Sequence, residues 1–243
     1  MADGLVIIPT YNEIENIEAI VKAVFDLKKD FHVLVVDDNS PDGTADAIKK
    51  LQKDFSERLF IEVREEKSGL GTAYIHGFKW ALKKGYDYIF EMDADFSHRP
   101  DDLQRLHRAC FNGADVAIGS RYKKGVNVVN WPLHRVLLSY GASFYVKVIT
   151  GMRIHDPTAG FMCYRRKVLE AINLDSIKFI GYAFQIEMKY RAYLKKFKIE
   201  EVSIIFTDRV NGKSKMNSKI VREAIFGVIG MRFRSLFLKK SFG

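Results

Sequence analysis

Two aspartates, Asp93 and Asp95, follow the apolar run Tyr88-Ile89-Phe90-Glu91-Met92 with only Ala94 between them. At a strand end, residues at i and i+2 project to the same side. Two carboxylates that close repel each other unless protons or a cation lie between them. Their oxygens suit Mg²⁺ or Mn²⁺, hard ions that bridge a protein carboxylate to substrate phosphates. Asp93 and Asp95 are therefore the candidate metal ligands. An isolated pair of this kind is more often a solvated turn using Asp for its backbone hydrogen bonds. Here three other polar clusters also follow short apolar runs: Pro9-Thr10-Tyr11-Asn12-Glu13, Asp37-Asp38-Asn39-Ser40-Pro41-Asp42-Gly43 and Gly119-Ser120-Arg121-Tyr122. Four such clusters on one sheet edge make a site.

The elements that must position them alternate in type. Leu5-Val6-Ile7-Ile8, Val33-Leu34-Val35-Val36, Leu59-Phe60-Ile61-Glu62-Val63, 88–92 and Asp115-Val116-Ala117-Ile118 read as short buried strands. Between them, 13–27, 44–55, 71–84 and 100–111 carry helical spacing, with Ile17, Ile20, Val21, Val24 and Phe25 on one face of the first. This alternation predicts an α/β fold with a Rossmann-like, mostly parallel sheet and helices on both faces, whose ligands bind beyond the carboxyl ends of the strands. After Gly119 the rhythm changes: a loop over 123–130, a long helix over 133–149, a strand over 158–164, a helix over 182–196 and a strand over 202–206. A polar basic loop, 211–215, precedes a last helix, 218–238.

The chain has 243 residues, 47% hydrophobic and 28% charged, enough for one sizeable core and unlike a disordered or fibrous chain. Of the net charge of +9, +7 falls in 210–243, where eight Lys/Arg face Glu223 alone, and this points to an anionic surface or ligand at that end. No apolar run reaches the ~18 residues of a membrane span, and no secretory leader is read at the start. Cys110 and Cys163 have no metal-binding spacing and are expected to be inert core thiols in a reduced compartment. Ser68-Gly69-Leu70-Gly71-Thr72-Ala73-Tyr74 lacks the third glycine of a dinucleotide fingerprint, no GxxxxGK[ST] or GxSxG occurs, and no His has a nucleophile partner. The two glycines are expected to serve a tight helix entry.

These segments resemble family 2 glycosyltransferases of GT-A fold, and within them the dolichol-phosphate (polyprenol-phosphate) mannosyltransferases. Val6-Ile7-Ile8-Pro9-Thr10-Tyr11-Asn12-Glu13, Val36-Asp37-Asp38-Asn39-Ser40-Pro41-Asp42-Gly43-Thr44, Gly69 to Tyr74, Met92-Asp93-Ala94-Asp95 and Gly119-Ser120-Arg121-Tyr122 carry the likeness. Asp156-Pro157-Thr158-Ala159-Gly160-Phe161, Gln185-Ile186-Glu187-Met188 and Asp208 to Lys215 extend it over about residues 4 to 217. The resemblance implies GDP-mannose as donor, a polyprenyl phosphate as acceptor, and Mg²⁺ or Mn²⁺ as cofactor. On it, Pro9, Tyr11, Glu13, Val36 and Asp38 hold the nucleotide's base and ribose, while Asp93, Ala94 and Asp95 hold the sugar diphosphate and metal. Arg209 and Lys215 close over the diphosphate, and Arg121, Arg135 and Ser139 meet the acceptor phosphate. Asp95 and Arg121 are the expected catalytic residues. Ser97 stands where some members carry a metal-binding Gln, and it is left out of the ligand set.

The expected reaction is inverting mannosyl transfer. A phosphate monoester has its second pKa near 6, so the acceptor is largely a dianion at pH 7 and needs no catalytic base. A GT-A domain over 1–217 would be followed by a basic amphipathic helix over 218–243 at the membrane interface. The chain would then be a peripheral enzyme on the cytoplasmic face of a membrane, with or without an anchoring subunit and without a nucleic-acid partner. One alternative is transfer of another sugar, such as glucose, to undecaprenyl phosphate. The other is a non-catalytic basic membrane-binding module, which leaves the strand-end clusters unexplained.

Overall fold

The computed structural model describes residues 3–181, 183–208 and 218–237, with only the backbone described over 218–224. β1 (Gly4–Thr10), α1 (Ile17–Phe25), β2 (His32–Asp37), α2 (Thr44–Leu51), β3 (Leu59–Val63), α3 (Leu70–Lys84), β4 (Tyr88–Glu91), α4 (Asp102–Phe111) and β5 (Val116–Ser120) follow in the expected alternation. Then come β6 (Val128–Val129), α5 (Leu133–Thr150), β7 (Met162–Arg165), α6 (Arg166–Ala171), α7 (Ala183–Leu194), β8 (Ile199–Ser203), β9 (Phe206–Thr207) and α8 (Ser218–Phe237).

The main sheet has the order β3-β2-β1-β4-β7-β5-β8, and β7 alone runs against the rest. Strand order reverses between β1 and β4, both running the same way, which opens the crevice used by ligands in such sheets. β1 and β2 are apolar throughout because both faces are covered. Leu5, Ile7, Leu34 and Val36 face a core with α3 and α7, while Val6, Ile8, Val33 and Val35 face one with α1 and α4. The five residues expected on the inner face of α1 are its buried ones. Both cysteines are wholly buried, and burial pushes the Cys163 thiol well up.

Past β5 the boundaries shift. The strand expected over 158–164 is Met162–Arg165, and the one expected over 202–206 is Ile199–Ser203. The expected loop over 123–130 contains β6, paired in parallel with β9. At the entry to α3, a Cβ on Gly71 would lie 2.8 Å from Phe184 and 2.9 Å from the Phe179 carbonyl oxygen. These glycines thus serve close approach as well as the turn into the helix. No described helix is long and apolar enough to cross a membrane.

Candidate active site

The carboxyl ends of β1 and β2 are tied together side chain by side chain. Thr10 Oγ1 donates to Asp37 Oδ1 at 2.8 Å, and Ser40 gives Asp37 its backbone N–H at 2.8 Å and its hydroxyl at 2.6 Å. The Asn12 N–H reaches Ser40 Oγ at 3.0 Å, the Glu13 N–H reaches Thr44 Oγ1 at 3.1 Å, and Asp42 accepts from Ile14 and Thr44. Asn12 and Asn39 turn the chain with φ of 58° and 54°, a conformation Asn tolerates better than most residues. Beside this frame Arg64 Nε donates to Asp38 Oδ1 at 2.7 Å and its Nη1 to Thr72 Oγ1 at 2.8 Å. Burial raises the Asp38 carboxyl above its ordinary range, outweighing the pull of Arg64. Lys67 lies over the Tyr11 ring, 3.9 Å from its centre. An aromatic face, two cations and a fixed carboxylate suit a planar base and ribose hydroxyls.

At the end of β4, Asp93 and Asp95 are half-buried on the same edge, and Tyr74 donates to Asp93 Oδ1 at 3.5 Å. Asp95 Oδ1 accepts the Ser97 N–H at 3.1 Å and the Ser97 hydroxyl at 2.6 Å, so Ser97 orients Asp95. Among the described residues no group of three His, Cys, Asp or Glu gathers as a metal cage. A pair of carboxylates still fits Mg²⁺ or Mn²⁺, which complete their shells with water and phosphate oxygens. Behind the pair, burial pushes Glu91 up to about 8 and Lys189 down to about 8. The Lys189 ammonium donates to the carbonyls of Ala159 and Gln185. His98 is pushed down to about 4 by burial, stacked on Phe161 with ring centres 4.8 Å apart.

Two strands further along the sheet, past the end of β5, Arg121 is buried and held by Asp156. Its backbone N–H and Nε reach Asp156 Oδ2 at 3.0 and 2.7 Å, and Nη2 reaches Oδ1 at 2.7 Å and Thr158 Oγ1 at 2.8 Å. Burial pushes the Asp156 carboxyl up, but the charge and bonds of Arg121 more than reverse this and hold it below its ordinary value. The guanidinium sits among Tyr122, Trp131 and Phe206, 5.3, 5.8 and 5.7 Å from their ring centres. Among the described residues its Nη1 makes no hydrogen bond. Arg135 lies 4.1 Å from the centre of the Trp131 ring and donates to Asp208 at 2.8 Å, and Tyr122 donates to Ser139 at 2.8 Å.

The fold thus brings Pro9, Tyr11, Glu13, Asp38, Asp93, Ala94, Asp95 and Arg121 to one sheet edge, with Arg135 and Ser139 on the helix beyond it. The Val36 side chain is wholly buried in the α3-side core, so Val36 borders the site only as the strand partner of Pro9. Arg209 and Lys215 lie outside the described residues. Sequence reading did not single out Arg64, Lys67 or Trp131 as site residues, and it quoted Asp156 only within a motif. Nothing local marks Asp156 as the partner of a residue 35 positions away.

The sequence profile of glycosyl transferase family 2 matches residues 5–172. The polyprenol monophosphomannose synthase of Mycolicibacterium smegmatis is 49% identical over 224 residues, covering 92% of this chain and 84% of the relative. The undecaprenyl-phosphate mannosyltransferase of Micrococcus luteus is 45% identical over 92% of this chain and 91% of its own length. Glucosyl-3-phosphoglycerate synthase from Mycobacterium tuberculosis, solved with Mn²⁺, UDP and glucosyl-3-phosphoglycerate, superposes with a TM-score of 0.66 at 16% identity, over 95% of this chain and 80% of that one. A mannosyltransferase from Pyrobaculum calidifontis, in complex with GDP-Man and Mn²⁺, gives 0.57 at 14% identity, over 99% and 76%. These likenesses establish the GT-A fold, and with the profile match and the two close relatives the chain is a glycosyltransferase belonging to glycosyl transferase family 2.

Proposed function

We propose that the chain transfers mannose from GDP-mannose to a polyprenyl phosphate with inversion, giving polyprenyl phosphate mannose. The observation that carries this reading is the meeting of two unlike half-sites on one edge. The carboxylates Asp93 and Asp95 follow β4, and on the same sheet edge, past the end of β5, a buried arginine stands in an aromatic wall at the foot of an exposed apolar helix. The names of the two close relatives support mannose and a polyprenyl phosphate, and the neighbour holding GDP-Man and Mn²⁺ supports the donor and a divalent ion.

Tyr11, Glu13 and Asp38 hold the base and ribose, with Lys67 and Arg64 closing that pocket. Asp93 and Asp95 would hold Mg²⁺ or Mn²⁺, which when bound neutralises charge on the diphosphate. Arg121, with Arg135 and Ser139, orients the acceptor phosphate, whose oxygen attacks the anomeric carbon as the bond to the nucleoside diphosphate breaks. The phosphate arrives as a dianion, so no protein base is required. Arg209 and Lys215 are proposed to close over the diphosphate.

The lipid substrate calls for a membrane surface, and two helices offer one. On α5, Leu133, Leu137, Tyr140, Phe144 and Val148 recur at helical spacing and are all more than half exposed. On α8, Phe226, Ile229, Phe233 and Phe237 recur at helical spacing and are exposed, and the Tyr145 hydroxyl joins the helices by donating to the Ile225 carbonyl at 2.9 Å. α5 contains no Asp or Glu, and Arg232 and Arg234 lie on α8. The interfacial surface we propose is thus the α5–α8 pair on the cytoplasmic face, with or without an anchoring subunit.

The test is calorimetric. Wild-type protein with Mn²⁺ should bind GDP-mannose in preference to UDP-glucose, and an Arg209→Ala/Lys215→Ala variant should bind GDP-mannose more weakly. A preference for UDP-glucose would replace mannose by glucose in this reading.

A further inference from the structure

We infer that Glu201 is a positioning residue for Arg121, acting through the backbone of His155 and Asp156; the inference rests on Arg121 as an acceptor contact. Glu201 stands on β8 in register with Ile118 of β5, two residues before β5 ends at Ser120. Its side chain is only 8% exposed, so both carboxylate oxygens require partners. Oε1 accepts the Asp156 N–H at 2.9 Å, and Oε2 accepts the His155 N–H at 2.9 Å and meets His155 Nδ1 at 2.6 Å. From the other side, the Lys123 ammonium donates to the Glu201 carbonyl.

The carboxylate thus fixes two successive backbone groups at the residue whose side chain grips Arg121. Asp156 in turn gives both its oxygens to Arg121, in a bidentate pair that sets the plane of the guanidinium as well as its place. Three charged side chains run in sequence from the β8 edge strand to the pocket. If the loop at 155–156 shifts, the plane of Arg121 shifts with it. Misplacement of a substrate-positioning group by 1 Å can cost on the order of a hundredfold in rate.

Glu201→Gln keeps the shape and one acceptor but cannot accept both N–H groups through the same pair of atoms. It should raise KM for a short polyprenyl phosphate roughly tenfold to a hundredfold while leaving donor KM within about twofold. In an Arg121→Lys background it should add little, since the two act as one unit. An activity-independent readout is the Nε–H resonance of Arg121 by NMR, expected to be sharp in the wild type and broadened in Glu201→Gln. An unchanged resonance together with an unchanged acceptor KM would overturn the positioning role. If Arg121→Lys itself leaves acceptor KM unchanged, the acceptor reading of Arg121 fails, while a broadened resonance would still uphold the coupling to Glu201. Should Glu201→Gln not fold, Glu201→Asp, which withdraws the charge by one methylene, is judged by the same two readouts.

Discussion

Arg121 and Asp156 form a buried fork-to-fork pair, Nε to Oδ2 and Nη2 to Oδ1 both at 2.7 Å, with Arg121 at the end of β5 and Asp156 in the segment leading to β7. The pair ties the end of β5 to the segment that leads into its antiparallel neighbour β7. It also leaves a cation facing the crevice without leaving a buried charge unpaired.

Asp156→Ala removes the counter-charge and strands the guanidinium. The variant should lose about 3–5 kcal/mol of folding stability, the cost of breaking a buried pair from one side. Urea unfolding measures it. A loss under about 1 kcal/mol would mean that Arg121 finds other partners and that the pair does not fix its place.

Asp95→Asn separates charge from packing, because its amide oxygen can still accept from Ser97. Stability should change little, while turnover at saturating Mg²⁺ or Mn²⁺ should fall at least about a hundredfold, equivalent to roughly 3 kcal/mol of lost charge stabilisation. Asp95→Ala should abolish turnover and also lose the Ser97 bonds, at about 1 kcal/mol. Wild-type activity in either variant would remove Asp95 from the metal site.

Much of the site was legible because its polar clusters follow short apolar strands, and strand direction carries them to one edge. Asp93 and Asp95 needed only the end of β4, and Tyr11 and Asp38 only the ends of β1 and β2. Partners distant in sequence were not legible: Arg64, Asp156 and Glu201 reach the site through sheet order, and that order includes the reversed strand β7. Periodicity also shows that α5 has an apolar face without saying which way it looks. In the structure Leu137 and Phe144 look outward, whereas an ordinary core helix would bury them.

His98 gives the protein an acid-sensitive core. Its pKa falls from an ordinary 6.5 to about 4 on folding, so between these values the unfolded chain binds the proton and the folded chain resists it. Stability from this residue is complete above about pH 6.5 and declines as pH falls toward 4, by up to about 1.4 kcal/mol per pH unit. His98→Phe, which keeps a ring against Phe161 and Phe206, should show a flatter acid limb in urea midpoints between pH 6.5 and 4. Parallel limbs would place the charged form of His98 comfortably in the fold.

The apolar stripes of α5 and α8 should bind bilayers. Burying one Leu or Phe contributes about 1.5–3 kcal/mol, so Leu137→Glu/Phe144→Glu should reduce co-sedimentation with anionic vesicles by tenfold or more, as should Phe226→Glu/Phe233→Glu. Circular dichroism should show both variants folded. Binding that survives both pairs of changes would move membrane contact off this face.

The most direct measurement of the central claim is a transfer assay crossing GDP-mannose and UDP-glucose with a short and a long polyprenyl phosphate. Each combination is run with Mg²⁺, with Mn²⁺ and with chelator. The account predicts mannosyl transfer from GDP-mannose to the lipid phosphate, loss of turnover with chelator, and a β-linked product from the α-linked donor. Glucose transfer in preference to mannose, full turnover in chelator, or retention of the α configuration would contradict it.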